Sequence, residues 1–289
     1  MRRLAILLAI LFAGFCGFVL FVGSRLIAPA PAPIAESALQ LPHEAVEFRG
    51  ASGNVLHGWF VPAASDGRGT IVLMHGVRAN RLSMVGRAVM LHRAGYAVLL
   101  FDFQAHGASP GEHITMGWLE SGDARAAVAY ARSRAPGQFV GAVGVSLGGA
   151  AAVLGADPLP VDALVLEAVY PDIEAATANR LSIRFGGLGR LLSPLLLMQL
   201  RPRLGIGSTE LMPIAAITRV RAPLFVIAGG ADRHTTRADS MRLFEAAPEP
   251  KQLWMIPGAA HRRLRGVLTT GVCGACSCVL RVRGERRRG

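Results

Sequence analysis

The sequence predicts an α/β protein with a doubly wound, mostly parallel sheet, preceded by an apolar helix. Two observations predict the sheet: short apolar runs without polar alternation recur along the chain, and stretches of helical character separate them. A third observation, an uncharged run at residues 4–23, predicts the leading helix. The chain of 289 residues is long enough for one such domain and an extension.

The N-terminal run is long enough to cross a bilayer, and Arg2 and Arg3 before it favour a cytoplasmic start. Residues 1–27 are therefore predicted to be a transmembrane signal anchor that leaves the rest of the chain extracytoplasmic. A stiff Pro/Ala-rich linker is predicted at 28–43. Arg25 weakens the charge bias. A cleaved signal peptide and a buried core helix are the alternatives, and prolines after the candidate cleavage sites disfavour cleavage.

The predicted α/β domain covers residues 44–261, and its strands and helices can be assigned in order. The first two strands are predicted to be antiparallel around a turn at 52–54, and the later ones to be parallel. Predicted strands are 45–49, 55–61, 70–74, 96–103, 139–145, 163–170, 223–229 and 252–256. Predicted helices are 81–94, 117–134, 149–154 and 235–247.

The alternation of strands and helices stops at about residues 171–221, which are predicted to be a helical cap insertion over the site. The insertion contains the apolar stretch 191–200. One interpretation is that its apolar face contacts an acyl chain or the membrane; the other is a helical excursion that only packs on the domain.

The most informative motif is the pentapeptide GVSLG at 144–148, between a predicted strand and a predicted helix. A serine on a sharp strand-to-helix turn has a strained backbone, and Gly144 and Gly148 would let strand and helix approach. The hydroxyl of Ser146 then projects from the end of the sheet, above the N-terminus of the helix. The motif predicts a nucleophilic serine; a turn that only packs is the alternative.

Two further turns accompany this motif. His75 and Gly76 follow the third strand, and a turn with Asp102, His106 and Ser109 follows the fourth. In this order the motifs resemble those of the α/β-hydrolase superfamily, in particular bacterial serine hydrolases of the BEM46-like and serine-aminopeptidase-like branch. The resemblance covers about residues 45–261. We expect Asp102 and His106 to brace the loop under the site.

The resemblance implies a catalytic triad in the chain order serine, acid, histidine. Ser146 matches the nucleophile, and His261, in the loop after the last strand, matches the base that takes its proton. Asp232, just after the seventh strand, matches the acid that orients the histidine. A helix N-cap is the alternative role for Asp232, and Glu167 is the alternative acid.

The resemblance also implies an oxyanion hole made by the backbone N–H groups of Val77 and Leu147. The implied activity is hydrolysis of a carboxylic ester, which the anchor and the apolar insertion suggest is lipid-like. A peptidase or amidase of the same fold is one alternative, and a non-catalytic binding protein is the other. We expect no cofactor and no metal, because neither a ligand cluster nor a phosphate-binding loop is evident.

The net charge of +12 would suit a nucleic-acid partner, but residues 262–289 hold eight arginines and one glutamate. Most of the excess charge therefore belongs to the tail, and no nucleic-acid partner is expected.

The same tail, 262–289, lacks the amphipathic helix with which similar proteins continue. Cys273, Cys276 and Cys278 supply three thiols without a usual fourth ligand, which disfavours a zinc site. A shifted reading frame after His261 is the favoured explanation.

Overall fold

The computed structural model describes residues 1–63 and 67–261. Eight strands form one sheet in the order β1-β2-β4-β3-β5-β6-β7-β8. The strand β2 is antiparallel to β1 and β4, and all other neighbours are parallel. The predicted fold class is confirmed. The strands are β1 (Glu44–Arg49), β2 (Val55–Val61), β3 (Thr70–Met74), β4 (Ala97–Phe101), β5 (Val140–Val145), β6 (Ala163–Glu167), β7 (Leu224–Gly229) and β8 (Lys251–Ile256).

Helices cover both faces of the sheet and enclose two apolar cores. Successive side chains of a strand point to opposite faces, so Val72 and Met74 of β3 join one core and Ile71 and Leu73 join the other. The α-helices are α1 (Arg2–Ile27), α2 (Val85–Arg93), α3 (Trp118–Arg134), α4 (Leu147–Val153), α5 (Ile173–Phe185), α6 (Leu188–Leu197), α7 (Leu200–Leu204), α8 (Pro213–Ala216) and α9 (Arg237–Ala246).

Some strands are shorter than the apolar runs that predict them. Phe103 and Tyr170, expected in strands, lie in the loops after β4 and β6 and are buried there. The apolar character therefore extends beyond the hydrogen-bonded ladder, because these loops also line the core. The helix expected at 81–94 begins as a 3₁₀ turn, Arg81–Met84, whose first turn is capped by the side chain of Asn80.

The insertion between β6 and β7 is helical and contains α5 to α8. The carboxylate of Asp172 caps α5 by accepting a 2.6 Å hydrogen bond from the N–H of Ala175. The helices α5 and α6 approach closely at Gly189, where a Cβ would lie 2.3 Å from the backbone of Leu181. This close approach makes the two helices one packed unit beside the carboxyl ends of the strands.

The N-terminal helix α1 is long and apolar enough to cross a membrane, by length and composition. The segment after it, expected to be a linker, lies against the domain. The N–H groups of Ala30 and Ala32 donate to the carbonyl oxygens of Ala105 and Gly107, at 2.8 and 2.9 Å. Because alanines alternate with prolines here, each alanine offers an N–H that its proline neighbours lack. The prediction for the tail lies outside the described residues.

Candidate active site

Ser146 lies on a sharp turn between β5 and α4, with φ 50° and ψ −109°. Both flanking glycines are required by packing. A Cβ on Gly144 would lie 2.6 Å from the backbone of Gly149, and one on Gly148 would lie 2.5 Å from the carbonyl oxygen of Met74. The turn is therefore a nucleophile elbow in geometry, with the strained backbone that such a serine adopts.

The hydroxyl of Ser146 is buried, and it has no hydrogen-bond partner among the residues that the structure describes. It lines a cleft of about 680 Å³ together with His261. In enzymes without substrate, a serine and its base are often not yet hydrogen-bonded, so this geometry leaves the hydroxyl available to a base across the cleft.

His261 and Asp232 are directly hydrogen-bonded. The Nδ1 of His261 lies 2.6 Å from Oδ2 of Asp232, whose side chain is buried. The other oxygen, Oδ1, accepts hydrogen bonds from the N–H groups of His234 and Thr235 at 2.7 and 3.0 Å. Because an ionised carboxylate only accepts, Nδ1 of His261 carries the proton and Nε2 is left to accept one.

The alternative acid, Glu167, is engaged elsewhere. Its buried carboxylate forms a bidentate ion pair with Arg87, from which Nε donates to Oε2 at 3.0 Å and Nη2 donates to Oε1. The backbone carbonyl of Glu167 accepts the N–H of Ser146 at 2.8 Å. Glu167 therefore supports the turn that carries the serine, and its carboxylate is turned to Arg87.

The loop after β4 is braced by buried polar groups. Oδ1 of Asp102 accepts the N–H of Arg81 at 2.7 Å, and Oδ2 accepts that of Ala108 at 3.0 Å. Burial raises the pKa of Asp102. Burial also lowers the pKa of His106, whose Nδ1 lies 2.9 Å from the carbonyl oxygen of Gln104. Both residues hold loop backbone in place.

The residues expected to form the oxyanion hole both lie near the serine. Val77 lines the cleft in the loop after β3, and Leu147 is the first residue of α4. A Cβ on Gly76 would lie 3.7 Å from Cβ of Ser146, so this loop passes close to the serine. Arg78, the next residue after Val77, has φ 54°.

Arg180 was not anticipated as a site residue. It projects from α5 and lines the cleft with Ser146 and His261. Burial lowers its pKa, and the negative charge of Asp232 opposes that shift. Helical spacing is the signal that could have found Arg180, because it lies on the same face of α5 as Ile173 and Ala176, which are buried.

A group of three or more His, Cys, Asp or Glu side chains placed to hold a metal ion is not found within residues 1–63 and 67–261.

Comparisons with known proteins agree with this geometry. A family model described as serine aminopeptidase, S33, matches residues 65–206. The uncharacterised protein Rv2307c of Mycobacterium tuberculosis is 33% identical over 254 residues, which cover 85% of this chain and 83% of that protein. The chain belongs to the α/β-hydrolase superfamily.

Solved structures of other α/β hydrolases share this fold. The esterase Pf2001 of Pyrococcus furiosus has a TM-score of 0.71 at 21% identity, covering 89% of this chain and 97% of that one. The protein XC6422 of Xanthomonas campestris, an α/β serine hydrolase described as without a lid, has a TM-score of 0.57 at 18% identity, covering 83% of this chain and 94% of that one. The predicted superfamily is confirmed, and the chain is an α/β serine hydrolase.

Proposed function

We propose that this α/β serine hydrolase is a membrane-anchored enzyme that cleaves a carboxylic ester through an acyl-enzyme. The observation that carries the proposal is the 2.6 Å contact between Nδ1 of His261 and Oδ2 of Asp232, at a cleft that Ser146 also lines. A buried carboxylate on one ring nitrogen leaves the other as a base for the serine.

In the proposed reaction, Oγ of Ser146 attacks the ester carbonyl carbon while Nε2 of His261 takes its proton. Asp232 holds the ring and stabilises its charged form. The oxyanion accepts hydrogen bonds from the N–H groups of Val77 and Leu147. When the carbon–oxygen bond to the leaving group breaks, His261 returns the proton to the leaving alkoxide. Water then attacks the acyl-enzyme while His261 takes its proton, and His261 gives this proton to Oγ of Ser146 as the bond to the acid product breaks.

The anchor is supported by α1, which carries Arg2 and Arg3 at its start. This charge bias supports a cytoplasmic N-terminus and an extracytoplasmic hydrolase domain. Protease added outside intact cells should then digest the domain, and protection of the domain until the cells are lysed would contradict this topology.

An amidase or peptidase reaction is the second candidate, because the matching family model is described as a serine aminopeptidase. The ester proposal is supported by the fold shared with an esterase at a TM-score of 0.71. The two reactions use the same acyl-enzyme and differ in the leaving group. Parallel assays with 4-nitrophenyl esters and aminoacyl 4-nitroanilides distinguish them.

The first experiment is labelling of the full-length protein in nanodiscs with a fluorophosphonate probe, followed by peptide mapping. The full chain is needed because residues 28–39 contact the domain. We expect labelling at Ser146 that Ser146→Ala abolishes. Asp232→Asn should lower ester turnover by on the order of 10³–10⁴, whereas the exposed control Asp157→Asn should leave it unchanged. A folded protein that takes no label would instead be a non-catalytic binding protein.

A further inference from the structure

The helix α6 presents apolar side chains outward. Leu188, Leu191 and Met198 are 56%, 75% and 71% exposed, and their spacing of three and seven residues places them on one stripe. The opposite side of α6 carries Gly189 and Ser193, which are buried. A helix at the surface of a water-soluble protein has the reverse arrangement, in which the apolar stripe packs against the core.

The same region is fixed to the end of α1 by specific hydrogen bonds. Nε2 of Gln199 donates to the carbonyl oxygen of Val19 at 3.2 Å. Arg203 donates from Nη2 to the carbonyl oxygen of Leu20 at 2.9 Å and from Nη1 to Oγ of Ser24 at 2.6 Å. These contacts lie at the end of the uncharged run, where a membrane-crossing α1 would enter the headgroup region.

The chain from α5 to α7 is rich in arginine, and the carboxylates of Asp172 and Glu174 line a surface pocket beside α6. Residues 175–209 contain five arginines and no acidic residue. Arg184 and Arg190 flank the exposed leucines, and both are exposed. An exposed apolar stripe flanked by arginines is typical of helices that lie in the interface of an anionic bilayer.

We propose that the apolar stripe of α6 lies in the headgroup and upper acyl region of an anionic phospholipid bilayer, beside the point where α1 leaves it. This inference rests on the proposed membrane anchor. Because α5 packs on α6 and also contributes Arg180 to the cleft, a bilayer on α6 would border the helix that faces the substrate.

The experiment is tryptophan quenching in vesicles of phosphatidylcholine and phosphatidylglycerol whose acyl chains are brominated. The full-length protein carries Leu191→Trp, at an exposed position where the new ring meets little packed structure. The control position, Gln138→Trp, is also exposed. It lies just before β5, at the amino ends of the parallel strands, whereas α6 lies beside their carboxyl ends. A second control, Phe12→Trp, reports on α1 itself. The signal of the unsubstituted protein is subtracted.

We expect quenching at Leu191→Trp to exceed that at Gln138→Trp by at least about twofold, since an interfacial side chain reaches the acyl boundary. Equal quenching at these two positions, with Phe12→Trp strongly quenched, would overturn the inference and leave the anchor standing. An unquenched Phe12→Trp would overturn the anchor and the inference together. Replacing phosphatidylglycerol by phosphatidylcholine should reduce quenching at Leu191→Trp, and unchanged quenching would refute the preference for anionic lipid.

Discussion

The guanidinium of Arg78 donates a 3.0 Å hydrogen bond to the carbonyl oxygen of Arg25, at the C-terminal end of α1. A second bond of 3.0 Å reaches the carbonyl oxygen of Ala28. Helix C-termini leave such carbonyls without intrahelical partners, and a cation there also interacts favourably with the helix dipole. Because Arg78 follows Val77 directly, the end of the apolar helix holds the loop that we propose supplies an oxyanion donor.

Arg78→Ala should therefore lower kcat for ester hydrolysis about tenfold with little change in KM, less than the 10²–10³ expected for complete loss of an oxyanion donor. Arg78→Lys should restore part of the rate, because the ammonium can donate to the same two carbonyls but lacks the rigid planar guanidinium. Arg93→Ala, at an exposed arginine of α2, is the control. A kcat unchanged in Arg78→Ala would show that the loop keeps its position without α1.

Arg180 should select substrates by charge. We expect Arg180→Gln to lower kcat/KM for a carboxylate-bearing ester, mono-4-nitrophenyl succinate, by on the order of 10-fold or more. Hydrolysis of neutral 4-nitrophenyl butyrate should change by less than about twofold, since no ion pair is lost. Arg184→Gln, on the exposed side of the same helix, is the matched control. Equal losses with both esters would mean that Arg180 supports the structure of the cleft and does not read charge.

Gly148 of the elbow and Gly86 of α2 provide a matched pair of stability tests. Gly148→Ala would place a methyl group 2.5 Å from the carbonyl oxygen of Met74, so we expect a loss of about 1–3 kcal/mol in the free energy of unfolding. Gly86→Ala, in α2 with nothing within 4 Å of the new Cβ, should gain up to about 1 kcal/mol. Denaturant titration measures both, and a neutral Gly148→Ala would contradict the close approach of α4 to β3.

The sequence predicted the elements that local patterns encode. Uninterrupted apolar runs marked the parallel strands, and the glycines around Ser146 marked the elbow. The resemblance to the α/β-hydrolase superfamily assigned Asp232 and His261 by their places after the last two strands, and their roles remain predictions. Arg180 and Arg78 were missed because their importance comes from contacts between distant parts of the chain. In a sequence, an arginine at the surface cannot be distinguished from one that enters a cleft until the element that packs beside it is known.

Removing one partner of the buried ion pair between Arg87 and Glu167 should destabilise the protein more than removing both. Arg87→Leu leaves an uncompensated carboxylate in the core and should lower the free energy of unfolding by about 3–5 kcal/mol. The double variant Arg87→Leu with Glu167→Leu should lose less than Arg87→Leu alone, because both charges are removed. Denaturant unfolding of the three proteins checks this. A double variant that is the least stable of the set would contradict the argument.

Asp123 should make stability depend on pH. Burial raises the pKa of its carboxyl from 3.8 to about 7, while the N–H of Gln104 donates to Oδ2 at 3.0 Å. The folded state therefore holds this proton more tightly than the unfolded state. Each unit of pH between about 4 and 7 should cost up to about 1.4 kcal/mol, with no further cost from this group above pH 7.

Asp123→Asn removes this ionisable group and should raise Tm at pH 8 more than at pH 4.5. Thermal unfolding at the two pH values measures the difference, with the exposed Asp157→Asn as control. An equal change in Tm at both pH values would show that Asp123 does not titrate in this range.

The backbone pairing of Ala30 and Pro31 with His106 and Gly107 holds the domain close to the end of α1. A domain on a long flexible linker could take many orientations above the membrane, whereas here the loop after β4 pairs with the chain within three residues of α1. With α1 in a bilayer, the cleft would stay at a fixed distance from the membrane surface and in a fixed orientation to it. A substrate dissolved in the same membrane would then reach the cleft by lateral diffusion in two dimensions, and its turnover would follow its surface density.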